Sequence, residues 1–232
     1  MMKIGGYLLA LIILLGIAFL LYTYAPRAPL LGTNTATTTE TTADGTEMKT
    51  EVIATSTATY RIEIRYPQFA IPVVDAKIKA VVDRAITEFK KYPANPADSS
   101  VSQNELTGSF DSTYAGPDIV SVELSISEYT GGAHPNTALI GVNVDRTTGK
   151  ELTLDDALAL IGKTLPQVAE SSIEELKRQF GGDLAFPEGA DPKPENYSTF
   201  VVSKDKVTFI FNNYQVAPYA AGHQEVWFKR MK

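Results

Sequence analysis

Two histidines, His134 and His223, carry most of what chemistry this chain could do, and each sits in a loop rich in Gly and Pro. His134 lies in TGGAHPN (130–136) and His223 follows NNYQVAPYAAG (212–222), with Glu225 two residues beyond it. A zinc ion needs at least three protein ligands in a catalytic site, and without cysteine it must draw on His, Asp and Glu, so a candidate metal set is His134 and His223 with a carboxylate such as Glu225. The absence of cysteine also excludes a thiol nucleophile and any disulfide framework. No GxSxG elbow, P-loop or GxGxxG occurs; the nearest approach to an elbow, Gly108-Ser109-Phe110-Asp111, has the wrong spacing. The carboxylate pairs Asp155-Asp156 and Glu174-Glu175 fall in helical contexts and read as a cap and a solvated face, so no catalytic residue and no cofactor is expected.

The same loops can instead form a recognition surface. Tyr129, His134, Asn136, Tyr214 and Tyr219 bring aromatic and amide groups to places where connecting segments carry function, and these five are the expected ligand-binding residues. The alternative is structural: Gly131-Gly132 permits a tight crossover between two strands, with Asn136 bonding to nearby backbone.

Regular elements must position those loops. Tyr60, Ile62, Ile64 and Tyr66 alternate with charged residues, which predicts a strand. Ile78, Val81, Val82, Ala85, Ile86 and Phe89 share one helical stripe after Pro72, with Asp75 available as a cap and Lys90 and Lys91 at the end. Val120, Val122, Leu124 and Ile126 alternate, as do Ile140, Val142 and Val144, which predicts antiparallel neighbours flanking the first loop. Thr153 and Asp156 make a capping pair for a short helix ending near Gly162, and a second stripe from Leu165 to Phe180 stops at Gly181-Gly182. Strands follow at 199–202, 207–211 and 224–229, the last two around the second loop. This order predicts an α+β fold with helices packed on antiparallel sheets, in two small linked subdomains at 59–149 and 150–232.

The chain opens on an uncharged run, 4–24, with seven Leu, four Ile and one Phe. As a helix it would cover about 31 Å, the thickness of a hydrocarbon core. Residues 1–25 are therefore expected to be a transmembrane signal anchor, and Lys3 ahead of the run places the remainder outside the cell: a single-pass cell-membrane protein with an extracytoplasmic C-terminal domain. Residues 26–58 are expected to be a Thr-rich disordered linker, since positions 33–59 hold 12 Thr and few large apolar side chains. A net charge of −6 argues against a nucleic-acid partner and leaves a basic protein possible.

Taken together, TGGAHPN (130–136), TGKELTLDDAL (148–158) and NNYQVAPYAAG (212–222) resemble an extracytoplasmic module of two linked domains of unknown function. That module is found in the lysozyme-sensing anti-sigma factor RsiV and ahead of the catalytic domain of the peptidoglycan deacetylase PdaC. The resemblance covers about residues 55–232 and implies a PdaC-like N-terminal and an RsiV-like C-terminal subdomain. It implies a non-catalytic binding or sensing role in the bacterial cell envelope, with a lysozyme-like protein or peptidoglycan as ligand. The alternative it leaves open is an accessory of a wall hydrolase or deacetylase, or a metal-assisted enzyme. It carries no catalytic residue over, because the deacetylase's metal-binding motif is missing here. Only three residues precede the apolar run, so no sigma-sequestering segment is expected.

Overall fold

The computed structural model of the chain describes residues 37–41, 45–96, 99, 101 and 103–231. Among them no helix is long and apolar enough to cross a membrane, and the predicted anchor, 1–25, lies outside the described residues. The fold is α+β, as the order of elements predicts. A six-stranded sheet is built from β1 (Thr37–Thr41), β2 (Glu47–Ser56), β3 (Tyr60–Gln68), β4 (Asn104–Ala115), β5 (Ile119–Tyr129) and β6 (Asn136–Asp145), paired in chain order. A three-stranded antiparallel sheet follows, from β7 (Phe200–Val202), β8 (Lys206–Phe211) and β9 (Gln224–Lys229). Three α-helices are described: α1 (Pro72–Phe89), α2 (Leu154–Ile161) and α3 (Leu165–Phe180).

The expected disordered linker is overturned over most of its described part. β1 and β2 form an antiparallel hairpin, and β2 pairs with β3 from Lys49↔Gln68 to Ser56↔Arg61. Threonine is β-branched and suits a pleated, half-buried surface, so a Thr-rich segment poor in large apolar groups still makes strands when a partner edge is present. Met48, 5% exposed, anchors β2 in the core. A second departure is β4, which pairs parallel with β3, so the larger sheet is mixed. Parallel neighbours need a long crossover, and α1 supplies it.

Helix α1 covers one face of the large sheet: Val74, Ile78, Val82 and Phe89 pack with Ile62, Ile64, Leu106, Val122, Leu124 and Val142. Asp75 does not cap the helix as predicted. Ile71 holds the N-cap position, and the Asp75 carboxylate reaches back to accept from the backbone N–H groups of Phe69 (2.8 Å) and Ile71 (3.1 Å). The Thr153–Asp156 capping box of α2 forms as expected, and α2 and α3 end at Gly162 and Gly181 in the left-handed conformation. These two helices pack on the small sheet through Ala157, Ile161, Val168 and Leu176 against Phe209, Phe211, Val226 and Phe228.

The two sheets meet on the face of the large sheet opposite α1, where Leu139, Val201 and Ile210 form a small cluster. Buried polar groups fix the contact. Ser121 Oγ donates to Asn143 Oδ1 (2.6 Å) and accepts from the Val202 N–H (2.8 Å), while Asn143 Nδ2 donates to the Phe200 carbonyl (2.7 Å). At Gly141 the Phe200 carbonyl takes the space where a side chain would begin, so only glycine lets β7 approach this closely. The layers run α1, large sheet, small sheet, then α2 with α3.

Candidate functional site

The β5–β6 loop belongs to the large sheet and the β8–β9 loop to the small one, so the sheet contact decides whether they meet. It does bring them together. Asn212, just after β8, uses its side-chain amide as a surrogate strand partner for β6: Oδ1 accepts from the Leu139 N–H (2.7 Å) and Nδ2 donates to the Leu139 carbonyl (3.2 Å). Gln215 ties the same loop to the 187–197 segment, its Nε2 donating to the carbonyls of Gly189 and Asn196, both at 2.9 Å.

Between these two ties the chain turns sharply, with the Gln215 N–H bonded to the Asn212 carbonyl at 3.0 Å. Tyr214 sits in that turn at φ 66°, a left-handed conformation that costs a non-glycine residue about 1 kcal/mol or more. Its side chain is 54% exposed. A strained backbone that presents an aromatic ring to solvent is the kind of outlier that points to function.

Opposite it, Gly131 and Gly132 take φ of 105° and 110°, and the Tyr129 hydroxyl donates to the Gly132 carbonyl at 3.0 Å, closing the first loop on itself. This presents His134. Its Nδ1 lies 2.8 Å from the Pro135 carbonyl, which can only accept, so the proton resides on Nδ1. Nε2 shares a hydrogen bond with the Tyr214 hydroxyl, 3.2 Å away. Tyr219 stacks on the His134 ring at 3.7 Å and 14°, and its hydroxyl donates to the same Pro135 carbonyl at 3.2 Å. Tyr214 and Tyr219 lie 5.5 Å apart, completing an aromatic triad.

Of the five expected binding residues, His134, Tyr214 and Tyr219 are thus in direct contact. Tyr129 supports the first loop, and Asn136 begins β6, exposed beside them. The set His134, His223 and Glu225 is not assembled as a metal site. His223 Nε2 faces Glu225 Oε1 at 3.5 Å, His134 is engaged with tyrosines, and among the described residues no group of three or more His, Asp and Glu could hold a metal ion.

Sequence reasoning missed the ground beside Tyr214. A groove of about 560 Å³ is lined by Phe186, Glu188, Lys193, Glu195, Asn196 and Tyr214. Its wall is two 3₁₀ turns, Pro187–Ala190 and Pro194–Tyr197, and the run of Pro187, Pro192 and Pro194 was the available signal of a rigid, shaped segment. Below it Tyr197 is fully buried, donates to the Ala190 carbonyl at 2.8 Å and packs edge-on against Phe209 and Phe211. Burial pushes its hydroxyl up to about 12, so it stays protonated as a structural donor.

Two families of known proteins match successive stretches of the chain. Residues 53–137 match the family described as "Deacetylase PdaC", and residues 152–230 match "Protein of unknown function (DUF3298)". The peptidoglycan-N-acetylmuramic acid deacetylase PdaC of Bacillus subtilis is 26% identical over 176 residues, which is 74% of this chain and 38% of that protein. The immunogenic protein MPT64 of Mycobacterium tuberculosis is 28% identical over 137 residues, 59% of this chain and 60% of its own length. The chain therefore spans 38% of the length of the first relative and 60% of the second, less than two thirds of either. A crystal structure of a DUF3298-family protein from Bacteroides fragilis superposes with a TM-score of 0.51 at 16% identity, covering 87% of this chain and 91% of that one, and shares its fold.

Proposed function

We propose that this chain, in which a PdaC-like part is followed by a DUF3298 part, is a non-catalytic binding module of the bacterial cell envelope. Its ligand is a wall glycan or a protein acting on the wall, and its contact surface is the His134–Tyr214–Tyr219 triad with the adjoining groove. The apolar run 4–24 would hold it in the membrane with the folded part outside.

The observation that carries this reading is the strained Tyr214. Asn212 and Gln215 pin the turn that carries it, and its exposed ring meets His134 and Tyr219, so the surface is set before a ligand arrives. Preorganised aromatic side chains lose little freedom on binding, which is why tyrosine recurs in contact surfaces. Glu188, Glu195 and Asn196 along the groove supply polar groups that would fix orientation.

The test is retention of the full-length chain on insoluble peptidoglycan and, separately, on immobilised lysozyme, each compared with Tyr214→Ala. Binding to either one that falls at least tenfold in the variant supports the proposal. Binding to neither, or equal binding by the variant, overturns it.

A further inference from the structure

The small sheet has two margins, β7 and β9, and only one of them is covered. At β7 the Val202 N–H and the Phe200 carbonyl bond to Ser121 and Asn143 of the large sheet. β9 has β8 on one side and no described strand on the other. Which of its backbone groups face outward follows from the ladder. Along an antiparallel pair, residues that bond to their opposite number alternate with residues whose N–H and C=O point away. The Arg230 N–H bonds to the Asp205 carbonyl at 2.8 Å, one step beyond the pair Lys206↔Lys229, so Gln224, Val226 and Phe228 bond to β8 while Glu225, Trp227 and Lys229 turn their N–H and C=O outward. The Glu225 carbonyl agrees with that phase, since it accepts from Gln179 Nε2 of α3 at 3.1 Å. Among the described residues no other group bonds to these outward atoms.

Proteins blunt an open edge with a proline, a bulge or a short strand. β9 has no proline and keeps a regular register throughout. Its side chains add a pattern of their own. Val226 and Phe228 enter the helical core, so Glu225, Trp227 and Lys229 share the opposite face, and all three are exposed, Trp227 at 63%. An anion, an indole and a cation at steps of two are self-complementary. Laid antiparallel against a second copy with Trp227 on the axis, Glu225 falls opposite Lys229 of the partner subunit, and Lys229 falls opposite Glu225 of the partner subunit. The same register brings outward-facing backbone groups to outward-facing backbone groups, so the charge pattern and the hydrogen-bond phase select one alignment. A cleft of about 240 Å³ between α3 and β9, lined by Ser171, Glu175, Arg178, Val226, Trp227 and Phe228, leaves room beside the edge.

We infer that β9 is a self-association edge: two copies join strand to strand about a two-fold axis at Trp227, and their three-stranded sheets merge into one. The backbone groups of Glu225, Trp227 and Lys229 supply the hydrogen bonds, and the two Glu225–Lys229 contacts across the seam fix the register. Gln179 swings off the Glu225 carbonyl as the second strand arrives, which an exposed side chain on the last turn of α3 can do. Glu225, half exposed and 3.5 Å from His223, keeps its carboxylate open to the new lysine. None of the triad's residues takes part, so the seam and the tyrosine surface are separate.

The experiment is sedimentation equilibrium of the full-length chain over a range of concentrations in a density-matched non-ionic detergent. Wild type is compared with Glu225→Lys, with Lys229→Glu and with the double variant carrying both reversals. The expected result is a reversible monomer–dimer equilibrium whose dissociation constant rises at least tenfold in each single variant, where like charges meet across the seam, and falls back toward wild type in the double. Emission from Trp227, the one tryptophan of the chain, should move to shorter wavelength over the same concentrations as the seam closes on it. A chain that stays monomeric overturns the inference. A dimer indifferent to the single reversals overturns it too, as association through the apolar run 4–24 alone would give, and so does a double variant no better than the singles. Tyr214→Ala should leave the equilibrium unchanged, so this inference and the proposed ligand surface can fail independently.

Discussion

His134 and Tyr219 lie face to face, ring centroids 3.7 Å apart and planes 14° from parallel, although one belongs to a loop of the large sheet and the other to a loop of the small one. The stack joins the two loops into one surface. Tyr219→Ala removes both the stack and the hydroxyl bond to Pro135, and is expected to cost about 1 kcal/mol. Hydrogen exchange of residues 130–137 should quicken in that variant while exchange in β5 stays as it was.

Tyr214→Asn separates stability from recognition. Asparagine tolerates the left-handed conformation better than tyrosine, so the variant is expected to hold or raise the unfolding midpoint, by up to about 1 kcal/mol. Ligand retention should drop at least tenfold at the same time. A variant that loses stability and binding together would assign the strain at Tyr214 to packing.

Gly141→Ala drives a methyl group into the Phe200 carbonyl and must push β7 off the large sheet. A loss of about 2 to 3 kcal/mol is expected in urea unfolding. Ser121→Ala should cost a similar amount for a different reason, because the Val202 N–H and Asn143 Oδ1 both lose their partner in a buried site.

The pH dependence of stability carries a sign that Glu123 sets. Its folded-state pKa is raised above the ordinary 4.5, chiefly by burial. A raised value means that its contribution is fully present below the ordinary pKa and is lost as pH climbs through the raised one. Wild type should therefore lose stability relative to Glu123→Gln over that window, read as urea midpoints at successive pH values. Asp75, also raised by burial, is common to both proteins and cancels in the comparison.

Truncation tests the strands found in the Thr-rich segment. A fragment beginning at residue 58 lacks β1 and β2 and bares the β3 edge, so it should aggregate and melt lower than a fragment beginning at residue 32.

Elements with a one-sided apolar pattern were legible in the chain: the stripe of α1, the Thr153–Asp156 box, and the alternation of β5, β6, β8 and β9 all recur in the fold. β4 was not, because Glu105, Thr107, Ser109 and Asp111 face water and Gly108 interrupts its inner face where Ile64 crowds in. β1 and β2 were hidden by composition, since repeated threonine reads equally as low complexity and as strand. Both loops of the triad stood out by their glycines and tyrosines. Their meeting rests on Asn212 and Leu139, a tertiary contact that no local spacing encodes. Glu123 was read only as the polar member of an alternating strand, and its burial depends on where the small sheet lands.

The hairpin of β1 and β2 closes the large sheet at its outer margin, with Thr37 opposite Glu51 at the hairpin's open end. Peeling β1 away would break the five residue pairs of that hairpin and leave the ladder from β2 to β6, with everything docked on it, intact.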